Sequence, residues 1–390
     1  MIQAARKRIA PYIYETPLLR LPGLDAALGC QVYVKCENMQ KTNSFKLRGA
    51  ANRLLTLPKE ALEKGVVTAS SGNHGKATAY AATLLGARAC VVLPDTAPKV
   101  KVEGIRGYGA EVVFSAPAER YAVCERLAGE KGYTAISPFD DYELMAGQGT
   151  AGLEILDQLP DVDVVVTPIG GGGLIGGVST AIKESSPKVR VYGVEPANVC
   201  RYTKSFAAGH PVRLPDDASS VAAGTQTLFP GTRNYPIVQK NVDEVVTVEE
   251  ESILKATKLL LTQGKILAEI TSCQVLGAAM EGKLNIKPEE KVVFLLSGGN
   301  IGKDQFENSR RSAYEILLRR NAPGTLYPRG HFQRHGLCLR TDLPGSCHRP
   351  ARGRRRGGGG PVCPEETGPH PGGGRMQQGK YRHVPGLHDL

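Results

Sequence analysis

Before residue 321, short runs of valine, isoleucine and leucine alternate with longer segments of helical character. This alternation constrains the fold more than any other feature of the chain. Continuous apolar strands that alternate with helices are typical of parallel sheets whose two faces are both covered by helices. The sequence therefore predicts an α/β protein, with strands at 66–69, 89–93, 111–114, 163–167, 189–194 and 292–296. It predicts helices at 74–85, 99–108, 118–131, 174–184, 249–263 and 272–283.

Length, composition and cysteine placement limit the class of protein. At 390 residues, 41% hydrophobic and 22% charged, the chain has the composition of a soluble globular protein with room for two domains. It has no apolar run near the ~18 residues that a membrane helix needs, and its basic N-terminus lacks the apolar core of a secretory signal. Six scattered cysteines before residue 321 indicate reduced thiols, so we expect a cytoplasmic protein without a membrane partner.

Residues 321–390 differ in composition from the rest of the chain. They hold eleven lysines and arginines against four aspartates and glutamates, and 15 of the 46 glycines. Because this tail has no sustained apolar period, it cannot bury enough surface to offset its ordering entropy, and we expect disorder. Its arginine and glycine runs could bind nucleic acid, but few aromatic residues accompany them, so we interpret the tail as a non-native end. It lacks the strand and helix pattern of a regulatory ligand-binding domain, and we predict no such allosteric control.

Small polar or glycine-rich turns follow three of the predicted strands. They are Ser70-Ser71-Gly72-Asn73-His74, the tetraglycine Gly170 to Gly173, and Ser297-Gly298-Gly299-Asn300. Ligands of parallel sheets bind beyond the carboxyl ends of the strands, so we expect the three turns to form one site. The tetraglycine leads into a helix at Leu174, where several backbone N–H groups can converge on an anion. We therefore favour phosphate binding over a merely tight turn, although no Gly-Lys-Ser/Thr follows and the turn is not a nucleotide P-loop.

Lys46 adds a nucleophile to this predicted anion site. A lysine together with a phosphate-binding glycine turn suits a phosphorylated aldehyde cofactor held as a Schiff base, and that cofactor would be pyridoxal phosphate. Each residue also has an ordinary interpretation when it is taken alone. Lys46 could be a solvated lysine near a helix start, and Ser71 and Asn73 could form a helix cap and turn. His74 could be a structural histidine, and Ser297 could simply begin the turn after a buried strand.

Taken in this order, the motifs resemble those of the threonine dehydratase and serine racemase family of fold-type II, tryptophan synthase β-like, pyridoxal-phosphate enzymes. The resemblance runs from Glu15-Thr16-Pro17-Leu18 to Ser297-Gly298-Gly299-Asn300, and it is most specific in the block from Lys35 to Ala50. It implies two doubly wound parallel-sheet domains with the cofactor between them. The large cofactor-binding domain would comprise residues 1–57 and 143–320, and the small domain residues 58–142.

The resemblance also implies a role for each residue of the site. Lys46 would bind the cofactor aldehyde and then, as general base, remove the substrate α-proton. A serine that faces the pyridine nitrogen does not stabilise its protonated form, which favours expulsion of a β-hydroxyl over slower reactions. Asn73 would bond the phenolic oxygen of the cofactor. The implied cofactor contacts are Phe45, Lys46, Asn73, Gly170, Gly171, Gly172, Gly173, Leu174 and Ser297. The implied contacts of the substrate carboxylate are Ser70, Ser71, Gly72, Asn73 and His74.

The reaction implied by the resemblance is β-elimination from L-threonine or L-serine, which yields ammonia and 2-oxobutanoate or pyruvate. Ser71 leaves alternatives open, because a serine at the matching position in racemases of the family exchanges a proton on the face opposite the lysine. Serine racemisation and dehydration of 3-hydroxyaspartate are these alternatives. A scaffold that binds a metabolite without turnover is an alternative of another class, although such a scaffold has no need for Lys46. The resemblance further implies a homodimer.

The sequence departs from the pattern of the family at several positions. Lys76 stands where glutamine is usual, and Ala223 stands where an aspartate is expected. The divalent-cation site of the family uses the glutamate of Gly-x-Glu-Pro, the carbonyl four residues on and an acid six residues on. In this chain those positions are Glu195, Val199 and Arg201. Because an arginine in place of the acid repels a hard cation, the sequence argues against metal binding at Glu195.

Overall fold

The computed structural model describes residues 1–302, so the predictions for the tail 321–390 lie outside the described residues. The α-helices of this part are α1 (Ile2–Ile9), α2 (Asp25–Leu28), α3 (Lys46–Leu55), α4 (Lys59–Lys64), α5 (Asn73–Leu84), α6 (Lys99–Arg106), α7 (Arg120–Lys131), α8 (Tyr142–Gln158), α9 (Gly173–Ser185), α10 (Arg201–Ala208), α11 (Asn234–Asn241), α12 (Glu250–Leu259) and α13 (Ile270–Met280). The strands are β1 (Leu18–Arg20), β2 (Gln31–Cys36), β3 (Val66–Ala69), β4 (Ala89–Pro94), β5 (Glu111–Ser115), β6 (Thr134–Ala135), β7 (Val164–Pro168), β8 (Arg190–Pro196), β9 (Glu244–Val248) and β10 (Lys291–Leu296).

Six strands form the first sheet, in the order β1-β2-β10-β7-β8-β9. All neighbouring pairs are parallel except at the edge, where β1 runs antiparallel to β2. Alternate residues of the central strand β10 face different helices. Val292 and Phe294 share a core cluster with residues of α12 and α13, whereas Val293 and Leu295 pack with residues of α8 and α9. The sheet is therefore covered by helices on both faces, as the sequence predicts.

Four parallel strands form the second sheet, in the order β5-β4-β3-β6. Val66 and Val91 pack on one face with residues of α3, α5 and α6, and Val67 and Val92 pack on the other face with residues of α7. All four strands lie within the range predicted for the small domain, residues 58–142. The boundaries of the two domains themselves stay a prediction.

The structure confirms each strand and helix that the sequence predicts, with ends that differ by a few residues. The sequence analysis did not predict α8, although it has 17 residues. Every residue of α8 from Leu144 to Ile155 is buried, so this helix has no solvated face to produce a helical period of polar residues. It also did not predict β2, in which the buried Lys35 interrupts the apolar residues of the strand.

Two further observations concern the environment of the chain. Within residues 1–302, no helix combines the length and the apolar character needed to cross a membrane. The six cysteines of the same range are all free thiols, at positions Cys30, Cys36, Cys90, Cys124, Cys200 and Cys273.

Candidate active site

A cavity of about 570 Å³ is lined by the turns that follow β3, β6, β7 and β10, so both sheets contribute to it. The residues of the predicted site that line it are Phe45, Lys46, Ser70, Ser71, Gly72, Asn73, His74, Gly170, Gly171, Gly172, Gly173, Leu174 and Ser297. The structure therefore brings every predicted cofactor and substrate contact to one place. The role of each individual residue stays a prediction.

Lys46 is the first residue of α3, and the backbone before it is tied to the end of β10. The N–H of Phe45 donates to the carbonyl oxygen of Ser297 at 3.0 Å. Lys46 Nζ donates to the carbonyl oxygen of Pro138 at 2.5 Å and lies 5.1 Å from the centre of the Phe45 ring. Since Pro138 follows β6, the lysine is held between loops of the two sheets.

The burial of Lys46 makes its amine easier to deprotonate. Desolvation lowers the pKa of Lys46 from its ordinary value to about 8, although the Glu269 carboxylate partly opposes this shift. An amine with this pKa has an appreciable neutral fraction near neutral pH, which a nucleophile or a general base requires. Burial, together with the charge of Lys46, lowers the pKa of His74 to about 3, so that the imidazole stays neutral.

The tetraglycine forms the turn between β7 and α9. Gly172 has a φ of +98°, in the left-handed region that favours glycine. A Cβ on Gly172 would lie 1.9 Å from Oη of Tyr202, and a Cβ on Gly171 would lie 2.3 Å from the ring of Phe139. The turn therefore excludes side chains, and it leads into a helix whose first N–H groups have no intrahelical partner. These groups and the positive end of the helix dipole favour an anion at the cavity wall, so the phosphate-binding role of the turn stays a prediction.

The Gly171 carbonyl of the same turn is occupied by other parts of the protein. Its oxygen accepts hydrogen bonds from Nδ2 of Asn234 at 2.8 Å, from Oη of Tyr202 at 3.1 Å and from the N–H of Gly231 at 3.0 Å. With this carbonyl engaged, the N–H groups remain as the polar groups that the turn can offer to an anion. The sequence analysis missed Asn234 and Tyr202, because neither belongs to a motif near the glycines.

The segment from Ser70 to His74 forms the turn between β3 and α5. A Cβ on Gly75 would lie 2.1 Å from the carbonyl oxygen of Ser70, so the turn closes tightly on the first turn of the helix and needs glycine there. The first three residues of the turn are half-buried, whereas His74 is buried. The half-buried start of α5 offers N–H groups and a positive dipole end, which suit a carboxylate.

A hydrogen-bonded group of side chains connects Asn73 with Ser297. Its central member is Glu269, which the sequence analysis did not place in the site. Nδ2 of Asn73 donates to the two oxygens of Glu269 at 2.9 and 3.2 Å. Oγ of Ser297 donates to Glu269 at 3.4 Å and lies 3.2 Å from Oγ of Ser272. Asn300, the last residue of its motif, donates to Oδ1 of Asn73 at 2.9 Å. Burial raises the pKa of Glu269, although the hydrogen bonds from Asn73 and Ser297 partly oppose this shift.

Glu195 does not line the cavity, and its carboxylate caps α10. It accepts hydrogen bonds from the N–H of Tyr202 at 3.1 Å, and from the N–H and the hydroxyl of Thr203 at 2.8 Å each. Among residues 1–302, no group of three or more His, Cys, Asp or Glu side chains could hold a metal ion. In this structure Glu195 is thus a helix cap with both of its oxygens occupied.

Comparison with known proteins agrees with this arrangement. The family described as "Pyridoxal-phosphate dependent enzyme" matches residues 9–298, a range that includes every described residue of the cavity wall. The L-threonine ammonia-lyase of Geobacter sulfurreducens is 43% identical over 303 residues, which cover 77% of this chain and 75% of that protein. The catabolic L-threonine dehydratase of Staphylococcus aureus is 41% identical over 305 residues, which cover 77% of this chain and 88% of that protein. The structure of maize serine racemase has a TM-score of 0.75 and 35% identity, and the match covers 82% of this chain and 98% of that chain.

Proposed function

Since the chain belongs to the family of pyridoxal-phosphate dependent enzymes, we propose that it is an ammonia-lyase that eliminates the β-hydroxyl of L-threonine and L-serine. The products are ammonia with 2-oxobutanoate from threonine, or with pyruvate from serine. The observation that carries this proposal is a half-buried lysine, Lys46, with a desolvated amine, in the same cavity as the tetraglycine turn and Ser297. Relatives named L-threonine ammonia-lyase and L-threonine dehydratase support the substrate class.

The residues around the cavity fit pyridoxal phosphate. The helix start at Gly173 would offer N–H groups to the phosphate, and Nζ of Lys46 would hold the aldehyde carbon. The hydroxyl of Ser297 would be a neutral partner for the pyridine nitrogen, and Asn73 and Phe45 also line the cavity. When bound, the cofactor withdraws electrons from the α-carbon of an amino acid and so makes its proton easier to remove.

Lys46 is the general base of this proposal. Desolvation lowers the pKa of Lys46 to about 8, and the carbonyl of Pro138 fixes the position of Nζ. A neutral Nζ can take up the α-proton of the substrate, because its pKa lies near the working pH. His74 has a pKa of about 3 and does not compete with the lysine for that proton.

The turn from Ser70 to His74 would orient the substrate. Its N–H groups lie at the positive end of α5, where a carboxylate is favoured over a neutral group. A carboxylate bound there would place the rest of the amino acid in the cavity that Lys46 shares. Orientation of this kind converts a bimolecular proton transfer into an intramolecular one.

The experiment is the release of 2-oxo acid from L-threonine and L-serine, with added pyridoxal phosphate, by the wild-type chain and by Lys46→Ala. We expect the substitution to lower the rate by roughly 10²–10⁴, the usual contribution of a general base. Lys59→Ala serves as the control, because Lys59 is an exposed lysine on α4. Equal rates for Lys46→Ala and wild type would remove the lysine from the mechanism. No release by the wild-type chain would reject the dehydratase.

Ser71 supports a second activity, racemisation of serine. It lines the same cavity as Lys46 and provides a hydroxyl that can exchange a proton with the α-carbon. The similarity to maize serine racemase favours this candidate. The test is the formation of D-serine from L-serine by the wild-type chain and by Ser71→Ala. Loss of D-serine formation with retained pyruvate release would assign racemisation to Ser71, and no D-serine from the wild-type chain would reject it.

Two cationic side chains support a substrate with a second carboxylate, such as 3-hydroxyaspartate. Lys101 and Arg120 line the cavity and form no ion pair within the described residues. A preference for 3-hydroxyaspartate over L-serine that falls in Lys101→Ala would support this substrate. Equal rates of elimination from 3-hydroxyaspartate and from L-serine by the wild-type chain would reject it.

The assembly and the location belong to the same proposal. We place the enzyme in the cytoplasm, which the six free thiols support because a reducing compartment keeps them unpaired. A homodimer is the expected assembly, by resemblance to the family. Sedimentation velocity checks this, and a stable, active monomer would reject the dimer.

A further inference from the structure

Arg201 lies beneath the tetraglycine turn and is completely buried. Its Nη1 donates to the carbonyl oxygens of Ile169 at 3.0 Å and Gly170 at 2.9 Å. Its Nη2 donates to the carbonyl oxygens of Val199 and, at 2.6 Å, Thr225. Four carbonyl groups from three separate segments thus converge on one guanidinium. Carbonyl oxygens that converge on a single positive charge are the arrangement by which proteins also bind a hard cation.

The residues present do not fit a divalent cation at this place. Arg201 stands at the position of the third ligand, and the carbonyl of the second, Val199, already accepts a hydrogen bond from it. A calcium ion takes six to eight oxygen ligands, and a magnesium ion also needs a near-complete octahedron of oxygens. A cation next to a buried guanidinium would in addition be repelled by its charge.

We propose that the guanidinium of Arg201 is a built-in substitute for the divalent cation, and that it positions the anion-binding turn of an enzyme that needs no such metal. The planar fork of arginine carries a permanent charge and can donate in several fixed directions at once. It reaches the turn directly through Gly170. The neighbouring Tyr202 reaches the turn through Gly171, so α10 holds two successive carbonyls of the tetraglycine. Arg201 is a positioning residue, since it acts on the phosphate site through the turn.

The proposal predicts the effect of restoring an acid. In Arg201→Asp, an aspartate joins Glu195 and the freed carbonyl of Val199, which recreates an oxygen ligand set. Without divalent cations, we expect Arg201→Asp to bind pyridoxal phosphate about tenfold more weakly than wild type, because the charged hydrogen bonds to the turn are lost. We expect millimolar calcium or magnesium to restore this affinity and to raise the thermal midpoint by roughly 3 °C or more, because a ligand that binds only the folded state stabilises it.

Lys204→Asp is the matched control. Lys204 lies on the same helix, α10, and makes the same change of charge when it is replaced, but it is exposed. Its side chain forms no hydrogen bond or ion pair with another of the described residues. We expect this variant to bind pyridoxal phosphate as wild type does, with or without divalent cations.

The experiment measures cofactor affinity and thermal midpoint for wild type, Arg201→Asp and Lys204→Asp, in a chelator and then with calcium or magnesium chloride. Wild type should give the same values under all conditions. A wild-type affinity that falls in chelator, or a wild-type midpoint that rises with the cation, would overturn the proposal. So would a loss in Arg201→Asp that no cation restores, or no loss in that variant at all.

If Arg201→Asp does not fold, calorimetric titration of wild type with calcium chloride decides the question. A titration without saturable heat would support the substitution of arginine for the metal. Binding of one cation per chain would overturn it. None of these measurements uses substrate turnover. A wrong assignment of the reaction would therefore leave them interpretable, and a wrong assignment of Arg201 would leave the dehydratase test unaffected.

Discussion

At the scale of single residues, the site depends on positions where only one kind of side chain fits. Gly172 combines a left-handed backbone with a close approach to Oη of Tyr202, so it excludes any Cβ for two independent reasons. Lys46 is the opposite case, because its long side chain holds an amine where desolvation makes the charged form unfavourable. A desolvated charge of this kind is common where function, and not stability, determines the residue.

Gly172→Ala should damage the anion site, because the new Cβ would lie 1.9 Å from Oη of Tyr202 at a φ of +98°. We expect about tenfold or greater loss of affinity for pyridoxal phosphate, since the turn must move. Gly170→Ala is the control, because its Cβ would meet its nearest neighbours at 3.5 Å, an ordinary contact. Titration of both variants with the cofactor measures the difference. Equal affinities would show that the close approach at Gly172 does not control the turn.

Lys46→Met should stabilise the cofactor-free protein at neutral pH. The pKa of Lys46 is about 8 in the folded chain, against an ordinary value of 10.5. Between these values the unfolded chain holds one more proton, so the stability of wild type rises with pH through this window. At pH 7 both states are protonated, and the buried charge destabilises the folded state by about 3 kcal/mol.

Urea unfolding of wild type and Lys46→Met from pH 7 to pH 9.5 measures this effect. The variant should be more stable at pH 7, by up to about 3 kcal/mol. Its advantage should shrink as the pH rises above 8. A variant that is less stable at pH 7, or an advantage that does not change with pH, would contradict the account of Lys46 as a buried charge.

At the scale of elements, α3 is fixed by a group of buried charges that includes Arg48, two residues after Lys46. Arg48 has no exposed surface and bonds Glu37 through Nε at 2.8 Å and Glu154 through Nη1 at 2.6 Å. Lys35 on β2 bonds Glu154 at 2.6 Å and so adds a second cation to the group. This network joins α3 to β2 and α8. It therefore determines where the start of α3, and Lys46 with it, lies relative to the first sheet.

Arg48→Met should destabilise the protein strongly, because it leaves Glu37 and Glu154 buried without their main partner. The loss of one partner of a buried ion pair usually costs about 3–5 kcal/mol. Lys59→Met is the control, since Lys59 and Glu63 form an exposed pair on α4 whose removal should have little effect. Urea unfolding gives both changes in free energy. Similar small changes in the two variants would contradict a structural role for the network.

At the scale of the whole molecule, the cavity is a property of two sheets and of neither one alone. Lys46 belongs to α3, the turn from Ser70 to His74 follows a strand of the second sheet, and the tetraglycine follows a strand of the first sheet. Within the described residues, 1–302, those that line the cavity fall between Phe45 and Ser297. The chemistry should therefore be independent of the basic tail.

Deletion of residues 321–390 should leave cofactor affinity and 2-oxo acid release unchanged, within about twofold, because it keeps every residue that lines the cavity in the described part of the chain. The same deletion removes eleven basic residues against four acidic ones, so any binding to nucleic acid should disappear with it. Spectroscopic titration with the cofactor and a filter-binding assay with DNA check the two outcomes. Loss of cofactor binding in the shortened chain would show that the site extends beyond the described residues.

The sequence by itself determined the class of the fold and the members of the site. Apolar strands that alternate with helices allow few architectures, and the turns after β7 and β10 had to meet because the carboxyl ends of neighbouring parallel strands lie on one edge of a sheet. The turn from Ser70 to His74 follows a strand of the other sheet, so its place beside them depends on how the two sheets pack. Such patterns are local, and a local pattern can be read before the chain is folded. The family resemblance added the roles of Lys46, Asn73 and Ser297, which spacing alone left open.

Only the tertiary structure decided which side chains support that site. Asn234 and Tyr202 bond the tetraglycine from more than thirty residues away, and Glu269 stands between Asn73 and Ser297 without belonging to either motif. The helix α8 left no pattern because both of its faces are buried. Arg201 shows the difference most clearly. In the sequence, Arg201 stands at the position where the family has an acidic metal ligand. In the fold, its guanidinium is a charge on which four carbonyl groups converge. Contacts between distant segments depend on how the elements pack, and no local sequence pattern records that packing.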